Sequence, residues 1–395
     1  MAVQQLVKSR KGPSRRVSGF TVSVIREMTT LSQKYGAVNL AQGFPDFDPP
    51  MAVKRAAASA IYHGYNQYST SHGLLKLRQG IARKMRAFNR IPCDADENVT
   101  VTCGTTEGMM ASLLALLDPR DEVVIFEPFY ENYGPDTILS GAHSTYVNLE
   151  SPDFAIEEEA VKKAFTKNTK AVIINTPHNP TGRVFTKKEL GLIRDLCVDY
   201  DSYAVTDEIY EEIIYDGRKH LSIATLDGMH DRTITMSGFS KTYSATGWRV
   251  GYVVAPKNIT SAIRKVHDFL TVCAPTPIQE ACVTALKLPE SFYDNLRKTY
   301  DQSRNLLFDA LEDASFSCTR PEGSYYIWTD IRNTGFKDDR KLAEHLVSKI
   351  GVGSVPGSSF YHRGSLGRTK LRFSFSKKPA TIRKAVARLR KFNPR

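Results

Sequence analysis

Cysteine is scarce and unpaired in this chain of 395 residues: Cys93, Cys103, Cys197, Cys273, Cys282 and Cys318 are scattered, with no C-x-x-C among them. That excludes a disulfide scaffold and points to reduced, structural thiols in a cytosol-like compartment. The nine histidines include no H-E-x-x-H and no paired ligand spacing, so no metal site is expected. Long apolar runs are missing too. The longest aliphatic stretches, VVIF at 123–126 and AVII at 171–174, are strand-sized, which argues against membrane attachment. No apolar h-region follows the N-terminal cations, so a secretory signal is not expected, whereas the lack of any acidic residue before Glu27 leaves a transit peptide open. There is no G-x-G-x-x-G, since Gly351-x-Gly353 meets Pro356 where the third glycine belongs, and no Walker A motif, which disfavours a nucleotide enzyme. Internal repeats and low-complexity segments are absent.

What is present is the composition of an ordinary globular protein, with 41% hydrophobic and 24% charged residues. The balance of 54 Lys plus Arg against 42 Asp plus Glu gives +12. Its cations concentrate at the ends: Lys8, Arg10, Lys11, Arg15 and Arg16, and the stretch 377–395. Within the latter, Ile382, Val386 and Leu389 fall three to four apart, which predicts an amphipathic helix packed on the body with its charges in water. A solvated basic face therefore explains the charge better than a nucleic-acid or membrane partner. A single core stops growing near roughly 250–300 residues, so the length suggests a large domain and a smaller one.

The middle of the chain alternates β-branched runs with helical patterns. VTVTC (99–103), VVIF (123–126), AVIIN (171–175), YAVTD (203–207), TITMSG (233–238) and VGYVVA (250–255) read as strands. Glu107 to Leu117, Lys187 to Cys197 and Ser261 to Leu270 read as covering helices. This predicts an α/β fold with a mostly parallel sheet between helices. Past about 290 the pattern changes to a long helix (Tyr293 to Glu312) and separated strands (Ser324–Thr329, Lys370–Ser374). The expected division is an N-terminal arm joined to the small domain (1–50), a large domain (51–290) and a C-terminal small α+β domain (291–395).

Ligands of an open parallel sheet bind at the carboxyl ends of its strands, so the residues that follow each run carry the interest. Gly104-Thr105-Thr106 opens a helix and leaves backbone N–H groups free for an anion. TPHNPTG (176–182) is a proline-fixed turn that presents Asn179. Asp207 ends an interior strand with Tyr210 three residues on, and a buried carboxylate needs a partner. Lys241 emerges from another interior strand, followed eight residues later by Arg249. One cofactor accounts for all of these: pyridoxal phosphate (PLP) needs a lysine for a Schiff base, a carboxylate for its pyridine nitrogen, and a cradle plus an arginine for its phosphate.

GFSKTYSATGWRVG (238–251), AVIINTPHNPTG, TDEIY and LRFSFS, in that order, resemble the class I/II aminotransferases of PLP fold type I, and the likeness runs from about residue 16 to the end. The resemblance implies a large domain with a mostly parallel sheet between helices, a smaller α+β domain, and these roles. Lys241 would hold the cofactor covalently and move the proton, Asp207 would pair with the ring nitrogen, and Tyr210 and Asn179 would bond the ring oxygen. Arg249 and Gly104-Thr105-Thr106 would take the phosphate, and Tyr130 of EPFY would stack on the ring. Tyr68 of NQYSTSHG would reach the phosphate of the partner subunit in a homodimer. Arg372, with Gly43 and Asn179, would bind the substrate α-carboxylate. Where many relatives carry a phosphate-binding serine three residues before the lysine, this chain has Gly238, so Ser237 or Ser240 would take over.

NLAQGFPDFDPP and YNQYSTSHG resemble the branch holding kynurenine, glutamine–phenylpyruvate, methionine and prokaryotic-type aspartate aminotransferases. Tyr62, Tyr65, Phe360 and Tyr361 are expected near the mouth, suiting a large neutral or aromatic side chain, and spacing identifies no second cation for a dicarboxylate. The expected activity is transfer of an amino group from an aromatic, kynurenine, methionine or glutamine-like L-amino acid to a 2-oxo acid. The alternatives are an aspartate aminotransferase, a cysteine-conjugate β-lyase on the same scaffold, and a PLP-sensing transcriptional regulator. The last is disfavoured because only about 16 residues precede the likeness, too few for a helix-turn-helix domain.

Overall fold

The computed structural model describes residues 12–20 and 22–392; Lys8, Arg10 and Lys11 of the first basic cluster and Arg395 of the second lie outside the described residues. Seven strands build the main sheet: β1 (Val99–Thr102), β2 (Glu122–Glu127), β3 (His143–Asn148), β4 (Thr169–Asn175), β5 (Tyr203–Asp207), β6 (Thr233–Gly238) and β7 (Gly251–Val254). Their spatial order is β1-β7-β6-β5-β4-β2-β3. Within this sheet β2 to β6 pair in parallel, and β7 runs antiparallel to both of its neighbours. The reversal matters for function: the start of β7, and Arg249 just before it, lies at the edge where the parallel strands end.

Side chains alternate across a strand, and the two faces divide accordingly. Val124, Phe126, Val172 and Ile174 pack with Leu190, Ile193 and Leu196 of the helix Lys187–Asp199. Val123, Ile125, Ala171 and Ile173 pack instead with Met109, Ala111 and Leu113 of the helix Thr105–Leu116 and with Ile263 of Lys257–Thr271. Burial on both faces is why these strands read as continuous apolar runs. Each buried Val, Ile, Leu, Phe or Met side chain among these contributes roughly 1.5–3 kcal/mol on leaving water. The helix Lys187–Asp199 starts at a capping box between Thr186 and Glu189.

A second, antiparallel sheet joins β8 (Ser317–Thr319), β9 (Tyr326–Asp330), β10 (Val355–Pro356) and β11 (Lys370–Ser374) in the order β10-β11-β9-β8. Strand β9 starts two residues later than the apolar pattern predicts. Ser324 is held at φ 58° and its N–H bonds the Ile213 carbonyl, so it belongs to a turn. The long helix is Glu290–Asp313, and the C-terminal helix Pro379–Leu389 buries Ile382, Val386 and Leu389.

The N-terminal segment is drawn onto the end of the chain. Val38–Asn39 pairs in parallel with Val352–Gly353. Ser374 N–H bonds the Leu40 carbonyl at 2.7 Å, Lys377 Nζ donates to the carbonyls of Gln42 (3.3 Å) and Phe44 (2.5 Å), and Thr381 Oγ1 donates to Asp46 at 2.5 Å. Lys377 is buried, lies 4.1 Å above the Phe44 ring, and burial pushes its amine down to about 8. Residues 40–46 are thereby fixed, and Gln42, Gly43 and Phe44 among them form one wall of a cavity.

Candidate active site

That cavity, of about 460 Å³, opens at the carboxyl edge of the main sheet. It is lined by Lys241 after β6, Asp207 and Tyr210 at the end of β5, Asn179 after β4, Tyr130 after β2, and Thr105 and Thr106 after β1. Arg249 reaches it from the start of β7, Arg372 from β11, and Gly43 from the strapped loop. Gly104 caps the helix beneath it at φ +81°, where a Cβ would overlap the Arg249 guanidinium. Tyr68 is not brought to the cavity of its own chain; it is 80% exposed.

Lys241 Nζ donates to the Gly43 carbonyl at 3.2 Å, and among the described residues no carboxylate forms an ion pair with it. Burial pushes its amine down to about 8, with Asp207 acting in the opposite sense and the arginines reinforcing it. Asp207 is pushed the other way, up to about 6 by burial, partly offset by hydrogen bonds from Tyr133 Oη (2.8 Å) and the Ile209 N–H (3.3 Å). Asp207 is buried and Lys241 half-buried, and the two form no ion pair with each other.

The two arginines differ in exposure. Arg372 is 1% exposed; Nη1 donates to Asn179 Oδ1 at 2.7 Å, Nη2 to the Ala41 carbonyl at 2.8 Å, and Nε has no partner among the described residues. Its guanidinium lies 4.1 Å from the Tyr326 ring centroid and 4.9 Å from that of Phe360. Arg249 is solvent-exposed, donates to the carbonyls of Thr246 and Cys103, and has no ion pair among the described residues. Two guanidinium ions without carboxylates leave room for two anionic ligands.

The sequence reading is corrected at the mouth. Phe360 and Tyr361 are buried, and Phe360 lies under the Arg372 guanidinium; Tyr62 is 88% exposed and, like Tyr65, is not part of the cavity wall. Strand alternation and the loop folding that decide this are invisible in spacing. Of the two serines, Ser237 Oγ donates to Glu211 at 2.5 Å and is not part of the cavity wall, whereas Ser240 lines it. Gly238 faces Gly251 so closely that a Cβ on it would lie 2.9 Å from the Gly251 Cα.

Several lining residues escaped the motif reading. Tyr133, in the same EPFYENY loop as Tyr130, holds Asp207. Tyr326 Oη lies 3.0 Å from Tyr210 Oη. Ser23, Ile25 and Arg26 bring the helix Val24–Lys34 over the mouth, where Ser23 Oγ donates to Glu131 at 2.5 Å. Their signals are single polar residues in unremarkable stretches, and only long-range packing assembles them. The fold also gathers Glu208, Glu211 and His220, whose ligand atoms lie within 4.8 Å of one another, a grouping that spacing did not suggest. Lys84 pairs with Glu211 at 2.7 Å and His220 with Glu208 at 2.7 Å, so the cluster has its own cationic partners.

The model of the family "aminotransferase class I and II" matches residues 35–389. The chain belongs to this family. It is 36% identical to aromatic-amino-acid aminotransferase 2 of Thermococcus litoralis, over 96% of this chain and 97% of that one. It is 33% identical to methionine aminotransferase of Escherichia coli, over 96% and 98% of the two chains. The solved structure of N-succinyldiaminopimelate aminotransferase from Mycobacterium tuberculosis superposes with a TM-score of 0.94 at 35% identity, covering 97% of this chain and all of that one (100%). The aminotransferase is a PLP-dependent transaminase of fold type I, acting on amino acids and 2-oxo acids. The cavity fits that cofactor: a half-buried lysine and an arginine that form no ion pair among the described residues, a carboxylate held at depth, and a glycine-capped helix start are the groups its aldehyde, phosphate and ring nitrogen require. Among the described residues no helix is long and apolar enough to cross a membrane.

Proposed function

We propose that the enzyme moves the amino group of an aromatic, kynurenine, methionine or glutamine-like L-amino acid onto a 2-oxo acid by a ping-pong mechanism, with Lys241 as covalent anchor and proton carrier. The observation that carries this is the Lys241 amine, half-buried in the cavity that Asp207 also lines, without an ion pair among the described residues and lowered to about 8. When bound, PLP supplies an electrophilic carbon and a ring that accepts electrons from the substrate. The protein's own groups do the rest. Asp207, raised to about 6 by burial and held by Tyr133, would pair with the ring nitrogen and keep it protonated. Thr105, Thr106, Ser240 and Arg249 take the phosphate, with Gly104 giving the close approach. Tyr130 covers the ring. Asn179 has its carbonyl oxygen occupied by Arg372, which leaves its NH₂ to donate to the ring oxygen beside Tyr210. Arg372 then presents its fork, with the Gly43 backbone, to the α-carboxylate. Lys241, whose amine is free of any ion pair among the described residues, would be the group that accepts and carries the substrate's α-proton.

A homodimer completes the reading. Tyr68 (80% exposed), Tyr62 (88%) and Phe269 (92%) are large apolar groups in water in the single chain, which supports burial against a second copy, with Tyr68 reaching the partner's phosphate site. The division at about 50 and 290, supported by the separation of the seven-stranded from the four-stranded sheet, and a cytoplasmic location belong to the same proposal.

One observation favours a second reading, a donor or acceptor with a distal carboxylate, as in an aspartate aminotransferase. Arg26 lines the cavity, and among the described residues no carboxylate pairs with its guanidinium. The test is a screen of amino donors against the PLP-loaded enzyme, followed as loss of the cofactor's Schiff-base absorbance. No exchange with any L-amino acid rejects the proposal. Preference for aspartate or glutamate over phenylalanine and methionine selects the second reading, and pyruvate release from a cysteine conjugate without a 2-oxo acid selects the β-lyase.

A further inference from the structure

Tyr326 is 2% exposed, lines the cavity and was not among the motif residues. It touches both halves of the site. Its hydroxyl is 3.0 Å from that of Tyr210, and its ring carries the Arg372 guanidinium at 4.1 Å. It is also wedged in place: a Cβ on Gly43 would overlap its hydroxyl, and strand pairing sets it opposite Ser374, two residues from Arg372. Tyr325 beside it donates to the Gly43 carbonyl at 2.8 Å, the same oxygen that receives Lys241 Nζ.

A phenol has one proton to give. If Tyr210 gives its proton to the ring oxygen, as the proposed function requires, the hydroxyl 3.0 Å behind it must be the donor to Tyr210. The order of donation is then Tyr326 to Tyr210 to ring oxygen, and each bond in such a chain polarises the next. The guanidinium over the Tyr326 face draws on the ring's electrons and strengthens its O–H as a donor. We propose that Tyr326 is a positioning residue of the transamination site, which acts through Tyr210 to strengthen the hydrogen bond on the cofactor's ring oxygen and through its ring to seat Arg372 for the substrate carboxylate. This inference rests on the proposed function.

Two roles in one side chain separate by substitution. Tyr326→Phe keeps the ring under Arg372 and removes the hydroxyl, whereas Tyr326→Leu removes both. A ring oxygen with a weaker donor holds the neighbouring Schiff-base proton more tightly, so absorbance titration of Tyr326→Phe holoenzyme without substrate should show a midpoint raised by about half a pH unit, the size of one weakened hydrogen bond. The same substitution in a Tyr210→Phe background should add nothing, because the chain is already cut. In steady state Tyr326→Phe should lower kcat and leave KM for the amino acid near wild type, and Tyr326→Leu should raise KM as well. An unchanged midpoint in Tyr326→Phe, or an equal increment in the Tyr210→Phe background, overturns the inference. A wild-type protein that shows no Schiff-base band at all overturns the proposed function instead.

Discussion

Tyr133 Oη donates a 2.8 Å hydrogen bond to Asp207 Oδ2, and both residues are buried. The phenol is itself held well above its ordinary value by burial and by this carboxylate, so it stays a donor throughout the working range. Without it, the Asp207 carboxylate keeps, among the described residues, the 3.3 Å bond from the Ile209 N–H alone. Tyr133→Phe should therefore fold normally, as checked by circular dichroism. A hydrogen bond to a charged group is worth about 1.5–3 kcal/mol, so kcat/KM should fall by one to two orders of magnitude. A loss below threefold would show that Asp207 is adequately held by its main-chain contact.

Lys241 can capture an aldehyde only as the neutral amine. Since burial lowers its value from 10.5 to about 8 in the folded chain, the neutral fraction grows as pH rises and levels off above about 8. The rate at which apoenzyme recombines with added PLP, followed by absorbance, should rise with pH and reach half its plateau near 8. A midpoint near 10.5 would contradict the desolvation assigned to this lysine. Lys241→Ala should lose both the yellow colour and turnover.

Gly104→Ala adds a methyl group where the backbone is left-handed and the Arg249 guanidinium already lies. Pushing that cation aside should weaken PLP binding by roughly tenfold or more, the scale of losing a charge-assisted contact. Equilibrium dialysis against PLP measures this directly, and undiminished affinity would remove Arg249 from the phosphate site.

Arg372→Ala should keep PLP bound, because its contacts run to Asn179, Ala41 and the rings of Tyr326 and Phe360. KM for the amino acid should rise at least ~100-fold, the weight of a buried bidentate carboxylate pair. Loss of the cofactor in this variant would mean that the arginine serves the cofactor and not the substrate.

The framework of the site was legible because parallel strands bring their ends to one edge. Asn179, Asp207 and Lys241 each follow an apolar run, and runs buried on both faces are plain in sequence. Arg249 was legible only through its motif, since nothing in spacing reveals that the strand after it runs backwards. Tyr133, Tyr326 and Arg26 were not legible at all. Their partners lie 74 residues away for Tyr133 and 116 for Tyr326, and Arg26 sits on a helix whose start, Ser23, bonds Glu131, 108 residues on. Phe360 misled for the complementary reason: an aromatic near a glycine-rich turn looks like a mouth residue until the sheet folds it under Arg372.

The strap between residues 40–46 and 374–381 sets an order of events in the making of the protein. A ribosome releases the chain from its N-terminus, and the strands that supply Asp207 and Lys241 can pair while later segments are still being made. The loop that carries Gly43 cannot be seated then, because Ser374, Lys377 and Thr381 have yet to emerge. Those contacts span more than 300 residues, as in the 333 between Phe44 and Lys377, and such distant closures form late. The nascent enzyme thus owns a place for its cofactor before it owns a place for its substrate.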